Sequence, residues 1–463
     1  MPDLRSSIEN IRRELRPDVL ALGEAAQYAI DGVEPLARAR PATTDELAGL
    51  LRLAGERGVP VAPYGRGHFA HLGQVPSRIG ILICLDQLDS LIAYEPADLT
   101  VTVQAGMTLA ALQQHLAERD QCLPVDPLCP DDATIGGVVA ANASGPSRFR
   151  HGTWSDMLLG VRAVAASGET LSAGGRVVKN VAGYDLTRLL VGSFGTLAVL
   201  TELTFKVSPR PAARLMVLGR CESRELAQEA ASHLIQSQLE PTFVELLNAN
   251  ALVGRRPSSR APRGAGLPAP DARPAPHAAA IVAGFAGAEP DVAYQRAEAE
   301  SLLRSVGMET QSLDGEAEAA ARPWLRSIVR RVGTGPNALV TMKLSVLSSQ
   351  VGTAIARAER LAADFDWRCA AQAHAGNGIV YVMLQAPSPT DEPPERVAGL
   401  CDELRQEAER LGGWAVIERA PAQVKQLAGV WGNAGYHHRL VASIKKAFDP
   451  GGILNPGRLM NAR

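Results

Sequence analysis

Three glycine-bearing stretches in the first half of the 463-residue chain have the composition of backbone that binds a ligand. The first, YGRGHF, follows a strand-like segment. Alternating glycines allow successive backbone N–H groups to face one anion, so this loop is a candidate site for a pyrophosphate. An ordinary strand–helix turn has the same composition, and the G-x-G-x-x-G dinucleotide fingerprint is absent. The candidate residues of the loop are Tyr64, Gly65, Arg66, Gly67, His68 and Phe69.

The second and third stretches combine glycine with other small residues. DDATIGGVVAANASG, residues 131–145, is too rich in small residues for a solvent-exposed loop, and it carries too much glycine for a continuous helix. It is interpreted either as backbone wrapped around a flat ligand or as a tightly packed helix start. In GSFGTLAVLTE, residues 192–202, Gly192 and Gly195 would let the backbone touch a ligand directly.

These stretches, together with VKNVAGYDLTRLL (178–190) and FDPGGILNPGRL (448–459), resemble a known family. The resemblance is to the FAD-binding domain of the p-cresol methylhydroxylase / vanillyl-alcohol oxidase superfamily, and in particular to the FAD-binding subunits of bacterial glycolate oxidases. It covers residues 27–210 and the end of the chain well, and the middle loosely. The resemblance implies an α+β fold, with two α/β subdomains clamping FAD, an α+β cap domain, and a C-terminal segment that returns to the FAD domain.

The resemblance also implies which residues contact FAD. The first loop would cradle the pyrophosphate, the second stretch would lie along the ribityl chain and flavin, and the third would lie near the adenine. The further cofactor-binding residues are then Ala133, Thr134, Gly136, Gly137, Asn142, Ser144, Gly145, Thr196, Leu197, Val199 and Asn455. His68 stands in a loop position where some relatives carry a histidine bonded covalently to the flavin; the other interpretation is an ordinary polar loop residue.

Catalytic candidates follow from the needs of 2-hydroxy-acid oxidation, which the resemblance implies. Lys179 would offer a cation to the substrate carboxylate, and Tyr184 or His374 would act as a hydrogen-bonding group or base. Related dehydrogenases hold a divalent metal with a histidine cluster. Here only His374 and Glu418 remain of that pattern, because Arg419 stands where a histidine is usual, so we expect no metal.

Composition restricts the partners. A net charge of -2 and a pI near 6.5 argue against nucleic-acid binding. The polar N-terminus and the lack of a long apolar run predict a cytoplasmic protein with no direct membrane insertion, which partners could hold at the inner membrane. The six cysteines form no C-x-x-C pair, so the chain is not expected to bind an iron–sulfur cluster of its own.

The combined prediction is the FAD-binding subunit of a complex that oxidises a small 2-hydroxy acid. Electrons would leave FAD through partners, namely a second flavoprotein subunit and an iron–sulfur subunit. Turnover by the isolated chain would therefore be poor. Two alternatives stay open: a non-catalytic flavin-binding subunit of such a complex, and a stand-alone FAD-dependent oxidase of a different alcohol.

Periodicity predicts the elements that position these residues. Thr43 and Glu46 form a capping box before a helix, and Thr108 caps another. Strands are predicted at 80–84, 91–94, 99–105, 338–344 and 378–384, and helices at 351–364 and 394–411. The predicted domains are an N-terminal helical segment (1–36), the FAD-binding domain (37–210), a cap domain (211–425) with a disordered insert (254–280), and a C-terminal segment (426–463).

Overall fold

The computed structural model describes residues 3–23, 26–176, 185–252, 278–388, 392–432 and 437–459. Within these ranges the chain is α+β, as predicted, with helices packed on four sheets. The candidates Lys179 and Tyr184 and most of the predicted insert lie outside the described residues. The end of that insert is ordered, because Ala279 already begins a strand.

A mixed four-stranded sheet forms the first layer. Its strands lie in the order Leu20–Leu22, Ala37–Ala39, Ile81–Cys84 and Val61–Tyr64. The last three are parallel, and Ile81–Cys84 is apolar and buried throughout, as a central parallel strand requires. Helix Thr44–Glu56 packs its leucines against the sheet. The predicted cap is confirmed, because the Thr43 hydroxyl accepts from the Glu46 backbone N–H at 3.1 Å.

An antiparallel five-stranded sheet forms the second layer. Its order is Leu91–Glu95, Thr100–Gln104, Ala198–Lys206, Leu158–Ala165 and Thr170–Gly174. Helix Leu109–Ala117 buries its leucines here, and the predicted cap at Thr108 is confirmed by its bond from the Ala111 N–H. A two-stranded ribbon pairs Ser208–Pro209 with Gln121–Cys122.

The second half of the chain forms an antiparallel eight-stranded sheet. Its order is Glu309–Asp314, Ala213–Cys221, Ala279–Gly287, Phe243–Asn248, Arg368–His374, Ile379–Gln385, Ala338–Ser345 and Trp414–Arg419. Alternate side chains enter separate apolar clusters on its two faces, as the two-residue period dictates: Ala371 and Ala373 face one, and Ala370 faces the other. Helix Gly315–Gly333 covers the face that Ala370 joins.

The remaining helices cover the other faces of the sheets or connect strands. The opposite face of the large sheet carries Arg224–Gln236, Glu289–Ser305, Val351–Asp364 and Pro394–Arg410. The rest are Leu4–Glu14, Ile135–Ala140, Arg148–His151, Trp154–Met157, Leu186–Leu190, Ala249–Leu252, Ala422–Ala428 and His437–Phe448. Among the helices of the described ranges, none has both the length and the apolar composition needed to cross a membrane.

The end of the chain returns to the first sheet. Val61 N–H donates to the Ile453 carbonyl, and Asn455 N–H donates to the Val61 carbonyl, both at 2.8 Å. Leu454 is fully buried in the core of that sheet. Asp449 fixes the return by accepting from the backbone N–H groups of Ile453 (3.0 Å) and Leu454 (2.7 Å). The tail therefore delivers Asn455 beside the loop that follows Val61–Tyr64.

Candidate active site

The loop 65–69 follows strand Val61–Tyr64 and presents unused backbone donors. Among the hydrogen bonds of the described residues, none is donated by the backbone N–H of residues 65 to 69. The Arg66 side chain lines the same cleft and has no ion pair within the described part of the chain. Such a row of free N–H groups with one guanidinium fits a pyrophosphate.

The second wall of the cleft starts at Thr134, the N-cap of helix Ile135–Ala140. Its hydroxyl accepts from the Gly137 N–H at 3.3 Å. A Cβ placed on Gly65 would lie only 2.2 Å from that hydroxyl oxygen. The backbone of the loop at Gly65 therefore packs directly against the Thr134 side chain. Gly67 has a φ of +79°, and its added Cβ would lie 2.1 Å from the Tyr64 hydroxyl. Glycine is thus required at both loop positions.

The third wall comes from residues 194–200 and from the tail. Asn455 Nδ2 donates to the Phe194 carbonyl at 2.7 Å and fixes that turn. Gly195, with a φ of +63°, lies against Pro63 and Asn455. The three walls together line one cleft.

The structure brings most of the predicted cofactor-binding residues to this cleft. Those that line it are Tyr64, Gly65, Arg66, Gly67, His68, Phe69, Thr134, Gly136, Gly137, Val199 and Asn455. The others lie elsewhere. Ala133, Thr196 and Leu197 are buried behind the walls, and Gly145 packs against the Asp126 carbonyl. Asn142 and Ser144 line a second cavity.

A buried ion cluster anchors the segment after the glycine loop. Lys425 Nζ, which is fully buried, lies 2.9 and 2.8 Å from the two carboxylate oxygens of Asp31. Arg458 approaches the same carboxylate at 3.2 Å. The two cations also donate to backbone carbonyls of the segment, namely those of Ala70, His71, Leu72 and Gln74. The position of the loop thus depends on residues 354 to 388 positions away in the sequence.

The second cavity lies between the glycine loop and the large sheet. It shares His68, Phe69 and Ala141 with the first cleft, so the two spaces adjoin. Within the described residues, its lining contains four charged side chains, those of Arg330, Lys343, Glu418 and Arg419. It also contains two histidines, His68 and His71. Burial, followed by the charges of Arg419, Lys425 and Arg458, holds the pKa of His71 well below its usual value. His71 is therefore neutral at pH 7.

Glu418 and Lys343 form a loose pair on adjacent strands. Their charged atoms lie 3.8 Å apart, and Lys343 also lies over the Tyr381 ring, 5.8 Å from its centre. Burial raises the pKa of Glu418, although Lys343 opposes the shift. Neither Arg330 nor Arg419 has a hydrogen bond or an ion pair from its side chain within the described ranges.

The predicted catalytic residue His374 lies away from this cavity. It is 2% exposed, and its Nδ1 lies 2.5 Å from Glu245 Oε1 inside the large sheet. Glu245 also accepts from Gln372 Nε2 at 2.7 Å, while burial raises its pKa. His374 contacts the cavity only indirectly, through the ring of Tyr381 at 5.4 Å. A catalytic role for His374 stays a prediction.

His68 lies where the two spaces meet, and its Nε2 is 2.9 Å from the Asp132 carboxylate. A covalent bond between His68 and the flavin stays a prediction. Sequence reasoning missed Arg330, Lys343 and the Asp31 cluster. It noticed Arg419 only as the residue in place of a histidine. No group of three or more His, Cys, Asp or Glu side chains able to hold a metal occurs in the described ranges.

The residues present fit FAD. The free N–H groups of 65–69 and Arg66 match its pyrophosphate, and glycine at 65, 67, 136 and 137 leaves a narrow slot for a long flat molecule. The adjoining second cavity leaves room for a small molecule beside one end of that slot.

Comparisons with known proteins agree with this fit. Residues 35–174 match the FAD binding domain, and residues 210–459 match the C-terminal domain of FAD linked oxidases. The glycolate oxidase subunit GlcD of Bacillus subtilis is 27% identical over 90% of this chain and 87% of its own. The D-2-hydroxyglutarate dehydrogenase of Xanthomonas citri is 28% identical, over 92% of this chain and 89% of its own.

One relative aligns over a shorter part of the chain but with a higher sequence identity. The glycolate oxidase subunit GlcE of Escherichia coli is 42% identical over 153 residues, which are 33% of this chain and 42% of that protein. Among solved structures, p-cresol methylhydroxylase with substrate bound has the same fold, with a TM-score of 0.76 over 98% of this chain and 96% of its own, at 17% identity. The chain belongs to the FAD-linked oxidases, and FAD is its cofactor.

Proposed function

We propose that the chain oxidises a small 2-hydroxy acid to the corresponding 2-oxo acid and that the electrons leave through a partner protein. The observation that carries the proposal is the second cavity, which adjoins the FAD cleft at His68 and Phe69 and contains guanidinium groups without partners in the described ranges. The similarity to a glycolate oxidase subunit and to a D-2-hydroxyglutarate dehydrogenase supports it, because both names denote 2-hydroxy acids.

The reaction sets two tasks for the protein. When bound, FAD supplies the acceptor for the hydride that leaves C2 as the C2–O bond becomes a carbonyl. The protein must hold the substrate carboxylate, and Arg330, Lys343 and Arg419 give the cavity the positive charge to do so. It must also accept the hydroxyl proton. Glu418 is the only carboxylate among the described lining residues, and we assign it this task.

The proposed electron exit is a partner that carries an iron–sulfur cluster. The six cysteines are unpaired and scattered, and the pKa of four of them is raised to about 11 or 12 by burial. Within the described ranges, no three or more His, Cys, Asp or Glu side chains lie close enough together to hold a metal. The matches to GlcD and GlcE support a second flavoprotein subunit in the same assembly.

Single-turnover reduction tests this proposal without the partners. Mixing the FAD-loaded chain anaerobically with glycolate, D-lactate or D-2-hydroxyglutarate is expected to bleach the flavin absorbance with at least one of them, whereas the same acids without the 2-hydroxyl group leave it unchanged. Oxygen is expected to reoxidise the reduced protein slowly, which gives poor steady-state turnover. Failure of all these 2-hydroxy acids to bleach the flavin contradicts the proposal, and the non-catalytic interpretation then stands.

The pH dependence of flavin reduction should report Glu418. A base must be deprotonated to act, and burial raises the pKa of this carboxyl, so kcat/KM is expected to rise with pH through a pKa above that of an exposed glutamate. Glu418→Gln should lower the reduction rate about 100-fold or more and remove that rising limb. A matched Glu403→Gln change on the outer helix Pro394–Arg410 should leave both the reduction rate and its pH profile unchanged. An unchanged pH profile in Glu418→Gln would rule out this base.

A further inference from the structure

Positive charge is in excess around the second cavity. Three carboxylates lie around it among the described residues, those of Asp31, Glu418 and Asp132, the last of which contacts His68. Five cations lie around it: Arg330, Lys343, Arg419, Lys425 and Arg458. Asp31 is already paired with Lys425 and Arg458, and Glu418 has Lys343 at 3.8 Å. The guanidinium groups of Arg330 and Arg419 are left over.

The positive charges of Arg330 and Arg419 repel each other. Burial lowers the pKa of Arg419; Asp31 and Glu418 counteract the shift, and Arg330 adds to it by repulsion. Arg330 is exposed and Arg419 is half-buried, so a bound anion that contacts both groups would offset their repulsion. An arginine binds a carboxylate through two parallel hydrogen bonds, so two unpaired arginines match two carboxylates.

Buried hydroxyl groups on the same walls also lack partners. Thr341 is 3% exposed, and its Oγ1 has no hydrogen bond within the described residues. Ser144 Oγ is likewise buried and unpartnered, and both residues line the cavity. A buried hydroxyl without a partner costs free energy, which a bound polar ligand would recover. These hydroxyls therefore point to a ligand with several oxygen atoms.

We propose that Arg330 and Arg419 each bind one carboxylate, so that the substrate is a 2-hydroxy dicarboxylate rather than a monocarboxylate such as glycolate. This assignment rests on the proposed 2-hydroxy-acid oxidation, and it names the substrate class of the same cavity. Lys343 then stays with Glu418, beside the hydroxyl that loses its proton.

Acids that cannot be oxidised, because they lack the hydroxyl group, test carboxylate binding by the two arginines independently of the reaction. Glutarate and valerate have the same chain length and no hydroxyl group, and each can be titrated into the FAD-loaded chain while the flavin absorbance is followed. We expect glutarate to bind at least tenfold more tightly than valerate. Arg330→Gln and Arg419→Gln should each reduce that ratio to near one. Arg360→Gln, a change of the same charge at an exposed position of helix Val351–Asp364, should preserve it.

The outcomes separate this inference from the proposed function. Equal binding of the two acids by the unaltered chain overturns it, as does a ratio that survives in both cavity variants while their melting temperatures are unchanged. Flavin reduction gives the second readout: 2-hydroxyglutarate or malate should exceed glycolate at least tenfold in reduction efficiency. If glycolate matches them, the dicarboxylate assignment is wrong and the oxidation stands. If glutarate is preferred but no 2-hydroxy acid reduces FAD, the oxidation is wrong and the carboxylate sites stand.

Discussion

Replacing Gly65 with alanine is expected to lower the affinity for FAD about 100-fold, equivalent to roughly 2.7 kcal/mol. The new Cβ would lie 2.2 Å from Thr134 Oγ1 and 3.2 Å from Thr134 Cβ. Thr134 cannot withdraw easily, because its hydroxyl caps helix Ile135–Ala140 through Gly137. The loop must retreat instead, and a shift of about 1 Å takes several backbone N–H groups out of hydrogen-bonding range of a pyrophosphate.

The measurement is FAD binding by the apoprotein, followed through the quenching of flavin fluorescence. Gly49→Ala is the matched control, because Gly49 lies in helix Thr44–Glu56 and an added Cβ there meets no atom within 4 Å. That change should leave FAD affinity unaltered and raise stability slightly, because alanine favours helix. If Gly65→Ala bound FAD as tightly as the unaltered chain, the contact between loop and helix would not determine the cofactor site.

Asp31→Asn is expected to destabilise the folded protein by about 3–5 kcal/mol. The substitution leaves the fully buried Lys425 and the 4% exposed Arg458 without the carboxylate that neutralises them. Asparagine has nearly the same shape as aspartate and tolerates the left-handed φ of +50° at this position. The loss is therefore one of charge and not of backbone conformation.

Thermal unfolding of the FAD-free chain measures this effect, with an expected fall in the melting temperature of roughly 3–5 °C. Arg52→Ala is the comparison, because it breaks an exposed pair with Glu56 whose members are 58% and 53% exposed. Such surface pairs contribute little, so its melting temperature should change by about 1 °C at most. Similar melting temperatures for the two variants would mean that the buried cluster adds no net stability.

The local elements were largely predictable because their signals are local. The capping threonines, Thr43 and Thr108, mark the two helices as predicted, and the alternation of Val101 and Val103 marks the strand Thr100–Gln104. Boundaries of the helices at 351–364 and 394–411 agree with the structure within one residue. Periodicity and caps depend on neighbours a few positions apart, so one sequence suffices to detect them.

Glycine gave the clearest sequence signal for the site. The loop at 64–69 and residues 134–137 line the cleft, since narrow packing forces glycine at these positions. The charges of the second cavity were not predictable, because Arg330, Lys343 and Arg419 come from one helix and two strands that pairing brings together. Before folding, each is one arginine or lysine among 47. Asp31 likewise carries no local sign of its distant partners.

The return of residues 453–455 to strand Val61–Tyr64 has a consequence for biosynthesis. The glycine loop leaves the ribosome early, but the wall formed by Asn455 and Arg458 is translated almost 400 residues later. A nascent chain can form the first two sheets and still lack one side of the cofactor cleft. We therefore expect stable flavin loading to follow completion of the chain, and a message truncated before this segment to give a protein without bound flavin.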